Sequence, residues 1–246
     1  MKVRNYIRVV LIQPTHPGNI GATARAMANM GISRLVLVQP RNYPGPEATA
    51  RAAGADHILN NAKVVPDLDR AISDCTLVIG TTARPRTIKW PQLQPVEAME
   101  KVAETARHSR VALLFGRESR GLTNSELDRC HYLVRIPVDP GYPSLNLASA
   151  VMVLLYELRK ALGNDVQSEK SVASEGLATA EEMQHFYRHL QQVLIMLEFG
   201  DGSSTKLHRK LTRLFNRTRP YVQEIRMLRG IFSAIEEKLS AKSSSE

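Results

Sequence analysis

Short apolar runs alternating with helix-patterned stretches fill the first two thirds of the chain, and few architectures satisfy that pattern. Residues 7–12, 35–38, 77–79, 111–115 and 131–136 read as strands. Most are apolar at consecutive positions, not alternate ones, so both faces of each strand need cover. Between them lie helix candidates. Ile20, Ala24, Met27 and Ala28 put an apolar face on the first, Leu68, Ala71 and Ile72 on a short one, and Leu147, Val151, Leu154, Leu155 and Leu158 on the strongest. A mostly parallel sheet with helices over both faces buries such strands, so the fold class is α/β.

The remainder is organised differently. Asn164 to Gly176 is rich in Ser, Glu, Asp and Gly and reads as a flexible linker. Amphipathic patterning resumes at 181–199, with further helices at 206–215 and 221–239 around Pro220. The expected division is a first domain over 1–163, a linker over 164–178 and an all-helical extension over 179–246. In 246 residues there are 33 Lys and Arg against 24 Asp and Glu. That balance favours a polyanionic partner. The longest apolar runs, such as 151–156, are far shorter than the roughly 20 residues a membrane helix needs, which points to a cytoplasmic protein without a membrane partner. Cys75 and Cys130 lack metal-ligand spacing, so no metal site is expected, and both read as buried and reduced.

Residues 1–162 carry 21 basic and 13 acidic groups and residues 163–246 carry 12 and 11, yet 206–229 alone holds eight basic residues against Glu224. On a helix Lys206, Arg209, Lys210, Arg213 and Arg217 form one stripe opposite Leu207, Leu211 and Leu214. Either a solvated face or an RNA contact explains it.

Four strand ends share a polar, glycine- or proline-punctuated loop, and ligand sites of open α/β sheets lie at such ends. After the first strand comes Pro14-Thr15-His16-Pro17-Gly18-Asn19-Ile20-Gly21. Its spacing is not that of a dinucleotide fingerprint. By itself it is explained by Asn19 as a helix cap, Gly21 for close packing and Arg25 on the surface. Phe115-Gly116-Arg117-Glu118-Ser119-Arg120-Gly121 pairs an anion-binding arginine with a carboxylate between two glycines. The segment from Ile136 to Asn146 puts Ser144 and Asn146 before the strongest helix, where Ser144 could be a simple cap. Gly80-Thr81-Thr82-Ala83-Arg84-Pro85-Arg86 adds small polar groups and two arginines. Trp90 could stack on a base or anchor its loop.

Three of these segments, as Asn19-x-Gly21-x-x-Ala24-Arg25, Phe115-Gly116-Arg117-Glu118-x-x-Gly121-Leu122 and Ile136-Pro137 followed by Ser144-Leu145-Asn146-Leu147-Ala148, resemble the motifs of SPOUT-class RNA 2′-O-methyltransferases. The tail, with Leu214-Phe215-Asn216-Arg217 and Leu228-Arg229-Gly230-Ile231, resembles the branch that acts on cytidine or uridine of tRNA. The resemblance implies a SPOUT fold with a C-terminal trefoil knot, a homodimer, and S-adenosylmethionine as methyl donor, leaving S-adenosylhomocysteine. It places the donor against Thr81, Thr82, Ala83, Gly116, Ile136, Ser144, Leu145 and Asn146. It gives catalytic roles to Arg25, Ser144, Asn146, Asn19 and Glu118, and RNA contacts to Arg84, Arg86, Arg117 and the stripe from Lys206 to Arg217. Its implied substrate is nucleotide 32 of the tRNA anticodon loop. A ribosomal-RNA methyltransferase and a non-catalytic RNA-binding relative are the alternatives.

Overall fold

The computed structural model describes residues 3–83, 90–163, 176–199 and 205–243. Two compact units, Met1–Ser171 and Val172–Glu246, each enclose a core of their own.

In the first unit β1 (Ile7–Ile12), α1 (Pro17–Met30), β2 (Arg34–Val38), α2 (Pro46–Ala52), α3 (Asp56–Asn60), β3 (Lys63–Val65), α4 (Leu68–Ile72) and β4 (Cys75–Thr81) come first. They are followed by β5 (Gln92–Leu93), α5 (Pro95–Thr105), β6 (Arg110–Phe115), α6 (Asn124–Leu127), β7 (Tyr132–Val134) and α7 (Leu147–Leu162). The sheet order is β3-β2-β1-β6-β4-β7-β5, and every ladder is parallel. Val9, Val10 and Leu11 are all fully buried, so both faces of β1 are covered as its unbroken apolar run requires. From β1 the chain first winds outward through β2 and β3, then crosses to β4 and returns to place β6 beside β1. Between the carboxyl ends of β1 and β6 the connections therefore leave in opposite directions, which opens a crevice there.

Local chemistry sets the ends of α1. Pro17 stands at its first turn, where the missing N–H is no loss, and Gly31 closes it at φ 73°. Gly21 lets α1 approach α2 as expected: a Cβ there would lie 2.0 Å from the Ala48 carbonyl oxygen. At the amino ends of the strands, Asp74 accepts from Arg8 at 2.9 and 3.1 Å and from Arg110. Burial opposes the Asp74 charge, but the bonds and charge of Arg8, then of Arg110, hold its carboxyl below the usual range. Both cysteines are buried and free, and burial pushes the Cys75 thiol up to about 12.

Some elements escape a reading by periodicity. β3 and β5 have three and two residues, and α2 and α3 are short and alanine-rich or polar. The strand expected over 131–136 is only Tyr132–Val134, because Pro137 and exposed Arg135 end the ladder.

The second unit comprises α8 (Ala180–Met196), α9 (Thr205–Thr218) and α10 (Val222–Ser243). Thr179 and Glu182 form a capping box that starts α8. Phe186, fully buried, meets Phe215 edge-on at 4.7 Å and stacks on Phe232 at 5.7 Å. The orientation of α9 differs from the one its leucines suggest. The Tyr187 hydroxyl bonds the Thr212 carbonyl and Asn216 Oδ1, at 3.1 and 2.8 Å, which turns Thr212 and Asn216 inward and leaves Leu214 44% exposed. Lys206, Lys210 and Arg217 are exposed, whereas Arg209 and Arg213 are half-buried at the edge of the packed face. The expected linker falls largely on 164–175, outside the described residues.

Candidate active site

A cavity of about 570 Å³ opens at the carboxyl ends of β1, β4, β6 and β7. Thr81, Thr82 and Ala83 line it after β4, 116–122 after β6, Ile136 and 142–147 after β7, and His16 and Asn19 at the start of α1. Thus all eight residues expected at a methyl donor share one space. Arg84 and Arg86 lie outside the described residues. Trp90 is 5% exposed, so anchoring, not base stacking, is its role.

Glu118 ties these segments together. Its carboxylate accepts from the Thr15 N–H at 3.1 Å, the Thr15 hydroxyl at 2.9 Å, the His16 N–H at 3.4 Å and Asn19 Nδ2 at 3.0 Å. Burial opposes its charge, but the Asn19 bond, backbone N–H groups and the Thr15 hydroxyl together hold the carboxyl below the usual range. Since Asn19 Nδ2 is committed to Glu118, its Oδ1 is left to accept from Asn146 Nδ2, at 2.9 Å. Asn146 Oδ1 in turn accepts from the Ala148 N–H at 2.9 Å and caps α7. The bland readings of both segments therefore give way. The cap of α1 is His16, not Asn19, and the cap of α7 is Asn146, not Ser144.

A second chain of bonds braces the loop after β6. Arg117 donates to both Glu126 oxygens at 3.0 Å and to Gln13 Oε1 at 2.8 Å. Gln13 Nε2 donates to Gln39 Oε1 at 2.6 Å, and Gln39 Nε2 to the Pro66 carbonyl at 2.6 Å. Because guanidinium only donates, it sets the direction of both amides. Gln13 and Gln39 hold left-handed backbones at φ 46° and 45°, a strain that the lacing of strand ends sustains. The side chain of Arg117 is 17% exposed and donates to Gln13 and Glu126, so it braces its loop. Burial opposes the Glu126 charge, but the Arg117 bonds lead the groups that pull its carboxyl below the usual range.

Arg25 is exposed on α1 and is not among the residues lining the cavity. Arg120, which the motif spelling passes over, is exposed at the cavity mouth, as are His16 and Tyr142. Only Arg120's type and its neighbourhood to Glu118 could have marked it beforehand. At Gly116 the loop crosses itself, and a Cβ would meet the Gly121 carbonyl carbon at 2.1 Å and the Leu122 nitrogen at 2.3 Å. Leu122, Val134, Ile136, Leu145 and Leu147 give the cavity an apolar wall beside these polar loops. Such a lining suits a heteroaromatic ring carrying a short polar chain. Among the described residues no group of three or more His, Cys, Asp or Glu is placed to hold a metal, and no helix is long and apolar enough to cross a membrane.

Comparison with known proteins gives these features a context. Residues 6–156 match the model of the SpoU rRNA methylase family, and 181–244 match the C-terminal domain of the tRNA methyltransferase TrmJ. The chain is 48% identical over 236 residues to the tRNA (cytidine/uridine-2′-O-)-methyltransferase TrmJ of Sodalis glossinidius, covering 94% of this chain and 91% of that one. Among solved structures, TrmJ from Z. mobilis ZM4 matches with a TM-score of 0.82 and 34% identity, over 93% of this chain and 98% of that one. The SpoU methyltransferase AviRb of Streptomyces viridochromogenes, solved in complex with AdoMet, matches with a TM-score of 0.51 and 25% identity over 63% of this chain and 60% of that one.

Proposed function

The chain belongs to the SpoU methylase family and carries a TrmJ C-terminal domain, and from that premise we propose that it methylates the ribose 2′-OH of cytidine or uridine at position 32 of tRNA. The observation that carries this reading is the bonded path Glu118–Asn19–Asn146, which joins the three motif loops around one cavity.

The residues present fit S-adenosylmethionine. Its adenine suits the apolar wall of Ile136, Leu145 and Leu147, and backbone groups of Thr82, Ala83 and Gly116 suit its polar edges. When bound, the donor supplies a methyl group activated on a sulfonium. The chain's own residues align the acceptor. Ser144 and Asn146 stand at the cavity rim to orient the hydroxyl, and Glu118 holds Asn19 and, through it, Asn146. Most of the gain from such an arrangement is orientation. Arg25 we assign to RNA: a guanidinium pairs with the phosphate beside the target and offsets charge that develops on the ribose oxygen. Its exposure and its place outside the cavity of its own chain support a homodimer, in which a second protomer completes the site. The trefoil knot belongs to the same reading and is supported by the likeness to SpoU structures. The exposed Lys206, Lys210 and Arg217 then track the tRNA backbone, which fixes register without reading bases, and a cytoplasmic location follows from that substrate.

Incubation with total RNA and labelled S-adenosylmethionine, followed by mapping of 2′-O-methylation, tests the proposal. Label at tRNA position 32 is expected. Product confined to ribosomal RNA overturns the substrate, and no product overturns the activity.

A further inference from the structure

Methylating a ribose hydroxyl requires a group that takes its proton, and the cavity offers few. Arg117 and Arg120 have no acceptor atom. Glu118 already accepts four hydrogen bonds and is held below the usual carboxylate range, which makes it a weak base. The Asn146 amide oxygen caps α7. A side-chain hydroxyl such as that of Ser144 carries its own proton and is a poor acceptor of another. Among the described side chains that line the cavity of one chain His16 remains, and histidine is the side chain whose neutral form is a base near neutrality.

Its position is unusual for a structural histidine. Residue 16 is the N-cap of α1, where Ser, Thr, Asp or Asn stabilises the helix by bonding the first turn. His16 makes no such side-chain bond, and it is exposed at the cavity. Its backbone is nonetheless held, with the N–H on Glu118 and the carbonyl accepting from the Asn19 N–H at 3.0 Å. The result is an imidazole that makes no cap bond, on a fixed backbone and in the same cavity as Ser144 and Asn146. The ionisable groups around it are Glu118, Arg117 and Arg120 on the loop after β6, Tyr142 before α7, and Glu47 and Arg51 of α2 beside Gly18.

Resting on the methyltransferase reading above, we propose that His16 is the proton acceptor of the reaction. The ribose oxygen forms its bond to the methyl carbon as the carbon–sulfonium bond breaks, the electron pair of that bond stays on sulfur, and the hydroxyl proton passes to an imidazole nitrogen. The imidazolium then returns the proton to solvent.

Single-turnover methyl transfer to tRNA, with both substrates saturating, is measured from pH 5.5 to 9 for the wild-type protein, His16→Ala and His16→Gln. The wild-type rate rises with pH along one limb. Both variants lose that limb and fall roughly 10²- to 10³-fold, while calorimetric binding of S-adenosylmethionine and of tRNA is unchanged. Added imidazole restores part of the rate to His16→Ala. In the protein bound to S-adenosylhomocysteine and unmodified anticodon stem-loop, the His16 ring-proton resonances shift from their free positions. Wild-type turnover with an unaltered rate and pH limb in both variants overturns His16 alone. So does a rate loss that imidazole leaves unrescued while the ring resonances stay put. A wild-type protein without product overturns the parent reading.

Discussion

Replacing Glu126 by Gln isolates the brace behind the cavity. The substitution keeps the side-chain shape but removes the charge and turns one oxygen into a donor. In the native protein the two oxygens accept from Arg117 twice, at 3.0 Å, and from the Thr123 N–H at 2.7 Å. The side chains of the pair are only 17% and 14% exposed, so water replaces little of what is lost. Truncating one partner of a fully buried pair costs about 3–5 kcal/mol, and an exposed pair is worth about 1 or less. A mostly buried pair with a third bond at stake falls between, at about 2–3 kcal/mol. In a domain of this size that lowers the melting temperature by roughly 4–12 °C. The acid dependence follows from the sign of the shift. Glu126 is held below its ordinary range when folded, so its contribution is present above that range and is lost as pH falls through the folded value. The gap between wild type and Glu126→Gln should therefore be full at pH 7 and shrink below about pH 4. Urea unfolding at both pH values reads it directly. A gap under about 0.5 kcal/mol at pH 7, or one that stays constant into acid, refutes the reasoning.

Other perturbations probe the site and its surroundings. Gly116→Ala drives a Cβ into the Gly121 and Leu122 backbone, so the loop must open; S-adenosylmethionine affinity measured by calorimetry should fall by more than about tenfold, with about 1–3 kcal/mol lost from stability. Arg25→Lys keeps the charge but loses the planar fork, and single-turnover rates should drop by about tenfold or more while donor binding holds; near-normal rates exclude a geometric role. Replacing Lys206, Lys210 and Arg217 together by Ala should flatten the slope of log tRNA affinity against log salt by roughly 2–3 and leave donor affinity unchanged.

What could be read from the sequence divides along physical lines. The central strands were legible because Val9 to Leu11 and Val111 to Leu114 are buried on both faces and show it as unbroken apolar runs. β3 was not, since Val64 on that edge is 55% exposed and carries no burial pattern. α5 went unread although its Gln94-x-x-Glu97 capping box is a start signal, because alanines contribute much of its buried face. The loops around the cavity were legible as motifs, yet their internal partners were not. Nothing local shows that Arg117 reaches Gln13 across 104 residues, or that Asn146 meets Asn19 across 127. For that reason the bonds by which Arg117 braces its loop were not legible beside the RNA contact expected of it. Leu214, which the sequence places opposite the basic stripe, lies outward because Tyr187, on another helix, sets the rotation of α9.

The two bonded paths through the loops have a thermodynamic corollary. A carboxylate heads one path and a guanidinium the other, and each admits one orientation for the amides that follow it, so the cleft has little residual rotational disorder left to lose when it is filled. Association should accordingly proceed with small loop rearrangement and a modest entropic penalty, and the ordering of these groups is already accomplished when the polypeptide folds.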